Sequence, residues 1–347
     1  MEKKVMVKIV GLGLLSVIVL GVGNVETAQG QTNMLSWVKV REHDPKATDM
    51  WAPRDSAGEV VFDGKMWLIG GWPGSMRDVW HSSDGANWTM AVKTAPWIHC
   101  DLPATVVFKD KMWMMGGWAG GRDPSATSSN QVWSSSDGAK WDCVTSNAAW
   151  SARLAPGCVV FKDKIWILGG IQRYFDGEKS LLNDVWNSDN GADWKLVTAH
   201  APWAPRAFHG ALVFQDKIWV MGGGNYVPTY VGYNDVWNSS DGVNWTQVAD
   251  HAQWSPRIWF SYVVYRNRMW VLGGWSNYPS RNWNDVWYSD DGANWKPLVT
   301  PMVWSPRHEM SAYVFNDKLW IVGGNFWPVQ NDVWRIGIPE SWFTGRP

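Results

Sequence analysis

The sequence has few cysteines, no excess of either charge and, beyond its first thirty residues, no long hydrophobic run. Three cysteines among 347 residues make an odd count that implies no disulfide framework, so a packed core must hold the fold. The 31 Lys and Arg balance 32 Asp and Glu, which excludes a basic nucleic-acid-binding chain and an acidic disordered chain. These absences predict a neutral globular protein with no nucleic-acid partner.

The first thirty residues have the pattern of a secretory signal peptide. Lysines at positions 3, 4 and 8 precede an apolar run from Ile9 to Gly23, which is short for a membrane span. Ala28-Gln29-Gly30 then fits a small-x-small cleavage site. Residues 1–30 are therefore predicted to be removed, which leaves residues 31–347 as a single secreted or periplasmic domain without a membrane span. An uncleaved anchor is the alternative.

What the sequence has in abundance is one repeated unit. Six di-glycines lie about fifty residues apart, and each follows a Trp that is 16 residues beyond the Trp of a Trp-x-Pro-Arg motif or its variant. An Asp-Val-Trp segment or its variant follows, and only the interval between it and the di-glycine varies in length. This period predicts a propeller or solenoid, and length variation in one loop places that loop on one face, often the binding face. The di-glycines are Gly70-Gly71, Gly116-Gly117, Gly169-Gly170, Gly222-Gly223, Gly273-Gly274 and Gly323-Gly324.

Each repeat resolves into four short strands, labelled a to d. Strand a follows the Arg, strand b ends on the di-glycine, strand c carries Asp-Val-Trp, and strand d begins near the next Trp. The last repeat lacks strand d, and the segment from Ser36 to Val40 matches the missing piece. The sequence therefore predicts an all-β, six-bladed β-propeller of four-stranded blades, closed by the N-terminal strand, with no helix after residue 30.

The repeats resemble those of the kelch family of β-propellers. The resemblance rests on the Gly-Gly after strand b, the Arg before strand a and the Trp spaced downstream, in six copies from residue 36 to residue 338. It implies kelch-type blades, and it implies that the face carrying the b–c loops and these Arg positions contacts ligands. Because one fold hosts unrelated functions, the site must still be argued from its residues.

Tryptophan is the strongest compositional feature, with 31 copies. Twenty-four recur at four positions of the repeat, six at each, and are predicted to be buried between blades. Five of the remaining seven lie in the variable b–c loops, together with several Tyr and Phe. Exposed rings of this kind usually mark a binding surface, although long loops could instead bury their own rings. The candidate binding rings are Trp72, Trp118, Trp275, Trp283, Trp327, Tyr226 and Tyr278.

Five arginines precede strand a on the same face, near the mouth of the central channel, and the second blade has Cys100 instead. Fixed cations around one opening would attract an anion, because Arg binds carboxylate or phosphate through two parallel hydrogen bonds. The alternative is that each Arg stacks on a Trp or holds the turn into strand a. The candidate ligand-binding arginines are Arg54, Arg153, Arg206, Arg257 and Arg307.

Two residues at the mouth are candidates for acid–base chemistry. His308 and Glu309 break the repeat beside Arg307, and polar residues that break a symmetric pattern are where a specific site would be built. No spacing of His, Cys or Asp indicates a metal, and no cofactor is predicted.

Two classes of function fit these residues. The first is a monomeric interaction module that binds an acidic or neutral carbohydrate, or a protein partner, at the b–c loops, because Trp and Tyr stack on sugar rings. The second is a sugar epimerase or mutarotase that uses His308, Glu309 and the arginines. The architecture and the arginine-rich mouth are similar to those of N-acetylneuraminate epimerase, whose catalytic residues have no residue-by-residue match in this chain.

Overall fold

The structure is a computed structural model, and it describes residues 35–74, 76–120 and 125–344. Within these residues, 24 strands form six four-stranded antiparallel sheets. The innermost strand of each sheet contacts the innermost strands of both neighbours, and the last contacts the first. This arrangement is a six-bladed β-propeller around a central channel, which confirms the prediction. The predicted signal peptide lies outside the described residues.

The two inner strands of each blade form a tight hairpin with turn residues in the left-handed region, such as Asp63 (φ 48°) and Gly64 (φ 65°). This mirror-image turn matches the twist of the paired strands. Strands a, which line the channel, are β2 (Gly58–Phe62), β6 (Ala104–Phe108), β10 (Gly157–Phe161), β14 (Gly210–Phe214), β18 (Ser261–Tyr265) and β22 (Ser311–Phe315). Strands b are β3 (Lys65–Ile69), β7 (Lys111–Met115), β11 (Lys164–Ile171), β15 (Lys217–Asn225), β19 (Arg268–Asn277) and β23 (Lys318–Gly324).

The two outer strands complete each blade, and in every blade except the sixth both follow the b–c loop in sequence. Strands c are β4 (Val79–Ser82), β8 (Val132–Ser135), β12 (Leu181–Ser188), β16 (Val231–Ser239), β20 (Ser280–Ser289) and β24 (Gln330–Ile336). Strands d are β1 (Val38–Arg41), β5 (Thr89–Val92), β9 (Asp142–Thr145), β13 (Lys195–Thr198), β17 (Thr246–Ala249) and β21 (Lys296–Pro297).

The N-terminal strand closes the ring, as the sequence predicted. β1 pairs antiparallel with β24, with Val38 opposite Arg335 and Lys39 opposite Trp334. The sixth blade is therefore built from both ends of the propeller, in the order β1-β24-β23-β22. This pairing covers the sheet edge that the last repeat would otherwise leave open.

Repeated tryptophans fill the space between the blades. The Trp of every Trp-x-Pro-Arg motif or variant, such as Trp150 and Trp203, is at most 1% exposed and meets, edge to face, the Trp that immediately precedes a strand d. The Trp before each di-glycine donates its Nε1–H to the carbonyl five residues earlier, as Trp219 does to Phe214 at 2.9 Å. These rings have the structural role predicted for the repeat positions.

The di-glycine at the end of strand b lets the chain approach the channel mouth. Gly70 and Gly71 have φ of 67° and 113°, and a Cβ on Gly71 would lie 2.7 Å from the carbonyl oxygen of Asp55. Without that Cβ, Trp72 forms two backbone hydrogen bonds with Asp55, both 3.0 Å. Glycine is needed here for both the dihedral angle and the contact.

Two short helical segments correct the prediction of no helix after residue 30. A 3-10 segment, Tyr174–Ser180, forms within the third b–c loop, and a short helix, α1 (Glu340–Thr344), follows the last strand. Neither interrupts a repeat, which is why the repeat pattern gave no sign of them. None of the helical segments in the described residues has the length and apolar composition needed to cross a membrane.

Candidate functional site

A ring of twelve residues surrounds the channel at the end where the b–c loops lie. It consists of the two residues that follow the Arg position in each blade, and we call it the mouth ring. The second residue of every pair has a φ between 48° and 58°, which is unusual for residues other than glycine. The six pairs are Asp55-Ser56, Asp101-Leu102, Leu154-Ala155, Ala207-Phe208, Ile258-Trp259 and His308-Glu309.

Backbone hydrogen bonds join neighbouring blades through the mouth ring. The amide of Ser56 donates to the carbonyl of Glu309 at 3.1 Å, and the amide of Leu102 donates to Ser56 at 3.0 Å. Equivalent bonds run from Ala155 to Leu102 and from Glu309 to Trp259. Because these bonds use only the main chain, the ring's geometry repeats while its side chains differ.

The side chains divide the mouth ring into two halves. Blades 6, 1 and 2 contribute the polar groups Asp55, Ser56, Asp101, His308 and Glu309. Blades 3, 4 and 5 contribute only apolar and aromatic side chains, among them Phe208 and Trp259, to the ring. A ligand at the mouth would therefore meet hydrogen-bonding groups on one side and hydrocarbon on the other.

The residue after each di-glycine lies beside the first mouth-ring residue of the same blade. Backbone bridges pair Asp101 with Trp118 and Ile258 with Trp275, as Trp72 pairs with Asp55. The repeat thus places the backbones of Trp72, Trp118 and Trp275 beside the first mouth-ring residues of their own blades. This register explains why these loop tryptophans lie at the mouth although their loops differ in length.

A cavity of about 560 Å³ opens above the mouth ring, within the size range of small-molecule sites. The polar half contributes Asp55, Asp101, His308, Glu309 and Asn325 to its lining. The predicted residues that line it are Trp72, Trp118, Trp275, Trp327, Tyr226, His308 and Glu309. The structure therefore brings seven sequence candidates together in one site.

Aromatic rings form a continuous wall on the apolar side of the cavity. Tyr226 lies between Trp259 and Trp275, with ring centroids 4.7 and 5.3 Å away. Tyr174 and Phe175 extend the wall toward Trp118. Trp259 was not among the sequence candidates because it belongs to the mouth ring and not to a b–c loop. The signal that could have identified it is that it lies outside the four repeated Trp positions.

Two predicted rings lie outside the cavity lining. Trp283 packs between the guanidinium groups of Arg257 and Arg281, 4.8 and 3.9 Å from its ring centroid, and donates to Ser276 Oγ. Tyr278 is 82% exposed and contacts Tyr230. Tyr278 lies near the tip of the long hairpin formed by β19 and β20, whereas Trp283 pairs with Gly274 in that hairpin and its ring packs on Arg257 outside the cavity lining.

The five predicted ligand-binding arginines are structural instead. Each is at most 2% exposed and donates through Nη1 and Nη2 to the Asp of its own blade's Asp-Val-Trp segment, at 2.5–3.0 Å. Nη1 also donates to the carbonyl of the first di-glycine residue. Their charges are thus neutralised inside the blades, which corrects the expectation of a cationic ring. The pairs are Arg54–Asp78, Arg153–Asp184, Arg206–Asp235, Arg257–Asp285 and Arg307–Asp332.

The second blade shows the signal that could have revealed this pairing. Cys100 replaces the Arg there, and Gln131 replaces the Asp of Asp-Val-Trp. The positive and the negative residue are lost together, as expected if they neutralise each other. Cys100 is buried, and burial together with the charge of Asp101 raises the pKa of its thiol to about 12.

Three carboxyl groups on the polar half hold their protons unusually strongly. Asp55 accepts hydrogen bonds from Asn325 (2.8 Å) and Ser56 (3.1 Å), yet burial raises its pKa to about 7. Burial and the charge of Asp55 raise the pKa of Asp101 to about 8. Burial, Asp55 and Asp101 together raise the pKa of Glu309 well above its usual value. At neutral pH these groups can therefore act as proton donors as well as acceptors.

His308 is the neutral member of the polar half. Its Nδ1 lies 2.6 Å from Oδ1 of Asn282, and because an amide oxygen only accepts, Nδ1 carries the proton. Burial lowers the pKa of the imidazole to about 3, so Nε2 remains an unprotonated acceptor. That nitrogen lies 3.6 Å from Glu309 Oε2, beyond hydrogen-bond distance, and the ring stacks on Trp259.

Among the described residues, no group of three or more His, Cys, Asp or Glu could hold a metal ion. The three cysteines are free, with Cys143 exposed and Cys100 buried. The site presents carboxyl, imidazole and amide groups opposite aromatic faces. A function proposed for this site must use these groups.

No protein-family model matches the chain, and no curated protein matches it. Among solved structures, one named "Structure of YjhT" is similar, with a TM-score of 0.69 over 84% of this chain and 97% of that chain. The sequence identity is 14%, so the similarity shows the propeller fold alone. The site of this chain must therefore be interpreted from its own residues.

Proposed function

We propose that the protein is a carbohydrate-binding propeller of the kelch type and that its ligand occupies the mouth cavity. The observation that carries the proposal is the division of the cavity into an aromatic wall and a polar half. Sugar rings have the same division, because their C–H faces stack on aromatic rings while their hydroxyls need donors and acceptors. Tyr226, Trp259 and Trp275 supply the stacking surfaces, and Asp55 and Asp101 supply acceptors.

The charges favour a sugar without a carboxylate. The arginines that could have bound an acidic sugar are held in ion pairs, while Asp55, Asp101 and Glu309 line the cavity. The burial that raises the pKa values of these carboxyl groups disfavours any negative charge in the cavity, including that of an anionic ligand. Of the acidic and neutral carbohydrates that the sequence left open, the structure supports the second. Export through the signal peptide, as a secreted or periplasmic protein, would bring this site to extracellular glycans.

A matched pair of variants tests the site. Trp327 and Tyr278 are both exposed loop rings, 73% and 82%, but only Trp327 lines the cavity. Titration calorimetry with a panel of neutral mono- and disaccharides should detect binding. Trp327→Ala should weaken that binding about tenfold, which is within the range for loss of one ring contact. Tyr278→Ala should leave it unchanged. Equal losses in both variants, or the absence of any sugar that binds, would reject the proposal and favour a protein partner.

A second candidate is a sugar mutarotase, favoured by the raised carboxyl pKa values. Anomer interconversion needs a base to remove the proton of the anomeric hydroxyl and an acid to protonate the ring oxygen as its bond to the anomeric carbon breaks. Reclosure on the other face reverses both transfers. Asp55 and Glu309 can serve as such a pair near neutral pH.

Glu309→Gln separates the two candidates. In a pure binder the variant keeps most of its affinity, because the amide still offers an acceptor to the sugar. In a mutarotase the variant loses its acceleration of anomer exchange, followed by polarimetry of a freshly dissolved sugar, while binding remains. If the unaltered protein does not accelerate anomer exchange, mutarotase activity toward that sugar is excluded.

A further inference from the structure

The charge of the cavity points to a particular kind of sugar. Three carboxyl groups, Asp55, Asp101 and Glu309, line it, and no Lys or Arg does so among the described residues. The arginines that precede two of them in the chain, Arg54 and Arg307, are each paired with an aspartate of their own blade. The described lining therefore contains acids without a matching cation.

Two buried polar atoms of the lining lack a protein partner. Oδ1 of Asp101 and Nε1 of Trp259 make no hydrogen bond within the described residues, and both side chains are more than nine-tenths buried. A buried polar group without a partner is costly, so a ligand that offers a complementary group to either atom would be favoured. Asp101 needs a donor, and the indole nitrogen needs an acceptor.

A cation would satisfy this cavity better than a neutral hydroxyl. It would donate to Asp101 and would offset the cost that burial places on the charged forms of the three carboxyl groups, which a neutral hydroxyl does not do. The aromatic wall of Tyr226, Trp259 and Trp275 would add a cation–π attraction, which is strongest where the cation is desolvated. The indole Nε1–H of Trp259 would still find an acceptor in a sugar oxygen.

We propose that the mouth cavity recognises a cationic amino sugar, with its ammonium group bound between Asp101 and Glu309 and its ring held against the aromatic wall. This assignment rests on the proposed carbohydrate function and specifies its ligand class. The ammonium group is the feature that distinguishes the ligand from neutral sugars and from N-acetylated ones, whose nitrogen carries no charge.

Calorimetry with three sugars of one shape tests the assignment. The protein comprising residues 31–347 is titrated at pH 7 with D-glucosamine, D-glucose and N-acetyl-D-glucosamine. Glucosamine should bind at least tenfold more tightly than the other two, because only it carries a positive charge. Titration in two buffers of different ionisation enthalpy should show protons released on binding, as the ammonium group shifts the carboxyls toward their charged form.

Charge-removing variants locate the ammonium site. Asp101→Asn should abolish the tenfold preference for glucosamine and reduce the proton release that accompanies its binding, because the amide carries no charge. Asp142→Asn, which removes a carboxylate from an exposed outer strand, should change neither. If Asp101→Asn fails to fold, Glu309→Gln gives the same test, since both carboxyl groups face the proposed site.

The outcomes separate this inference from the function on which it rests. Equal binding of all three sugars would overturn the amino-sugar assignment and leave the carbohydrate function intact. If neither these three sugars nor neutral disaccharides bind, both the amino-sugar assignment and the carbohydrate function are overturned. A preference for glucosamine that survives in Asp101→Asn and Glu309→Gln would also overturn the assignment, because the charge would then be recognised elsewhere.

Discussion

Nη1 and Nη2 of Arg206 donate to the two carboxylate oxygens of Asp235 at 2.6 and 2.8 Å, from a guanidinium buried within the fourth blade. The same carboxylate accepts the indole Nε1–H of Trp237 at 2.7 Å. Four other blades contain the equivalent ion pair, and the second blade contains neither charge. A blade therefore tolerates both charges or none, and this relationship gives the first prediction.

Breaking one ion pair should destabilise the propeller strongly. Asp235→Asn leaves the buried Arg206 without its counter-ion, and such changes typically cost about 3–5 kcal/mol. Arg206→Cys combined with Asp235→Gln copies the second blade, removes both charges and should be more stable than Arg206→Cys alone. Thermal unfolding followed by circular dichroism measures the series. A double variant less stable than Arg206→Cys would contradict the interpretation.

Alanine at two glycines that both have a positive φ, Gly64 (65°) and Gly71 (113°), should have different effects. Gly64 has φ 65° with no atom within 4 Å of an added Cβ, so Gly64→Ala should cost about 1–2 kcal/mol from the left-handed backbone alone. Gly71→Ala should cost more, because its Cβ would lie 2.7 Å from the Asp55 carbonyl oxygen. It should also weaken sugar binding, since Trp72 and Asp55 are displaced together. Chemical denaturation measures the loss of stability in each variant, and calorimetry measures the loss of sugar binding. Equal effects of Gly64→Ala and Gly71→Ala would reject the special role of the Gly71 contact.

The buried carboxyls predict a pH dependence of stability. The pKa of Asp101 is raised to about 8 in the folded protein, so its stabilising contribution is complete below the unfolded value of about 4 and is lost as pH rises through 8. Asp101→Asn should therefore gain stability relative to the unaltered protein between pH 5 and pH 9, by at most about 1.4 kcal/mol per pH unit.

The difference between the two proteins is the quantity to measure. Buried His209 and His308 have pKa values lowered to about 3 and favour higher pH, but they are present in both proteins and cancel. Melting temperatures at pH 5, 7 and 9 give the difference directly, with Asp142→Asn as the control. A constant difference across this range would show that Asp101 does not hold a proton in the folded state.

The fold could be predicted from the sequence because its information is periodic. Constant spacings between Trp, Gly and Arg specify identical blades, and the unmatched strand from Ser36 to Val40 predicted the ring closure that β1 and β24 form. The same regularity gave part of the site. Trp72, Trp118 and Trp275 follow a di-glycine, so the blade register places them at the mouth whatever the length of the loop beyond.

The rest of the site depended on contacts that no spacing reveals. Tyr278 lies near the tip of a hairpin whose length the repeat does not set, and the ring of Trp283 packs on Arg257 and Arg281, so the spacing of the repeat could not show that both lie outside the cavity lining. The arginines were misinterpreted because their aspartate partners are 24 to 31 residues away in sequence. The second blade gave the available clue, because Cys100 replaces the Arg and Gln131 replaces the Asp. Finding it required comparing these two positions of the repeat together across all six blades.

The mouth ring has a consequence for how such a protein can change over generations. Its backbone is fixed by main-chain bonds between blades, such as that from Leu102 to Ser56, and its twelve side chains take no part in those bonds. Natural selection can therefore exchange acids, aromatics and small residues at these positions without rebuilding the scaffold. Each blade can therefore acquire a new ligand-recognising side chain at its mouth-ring positions while the equivalent positions of the other five blades stay unchanged.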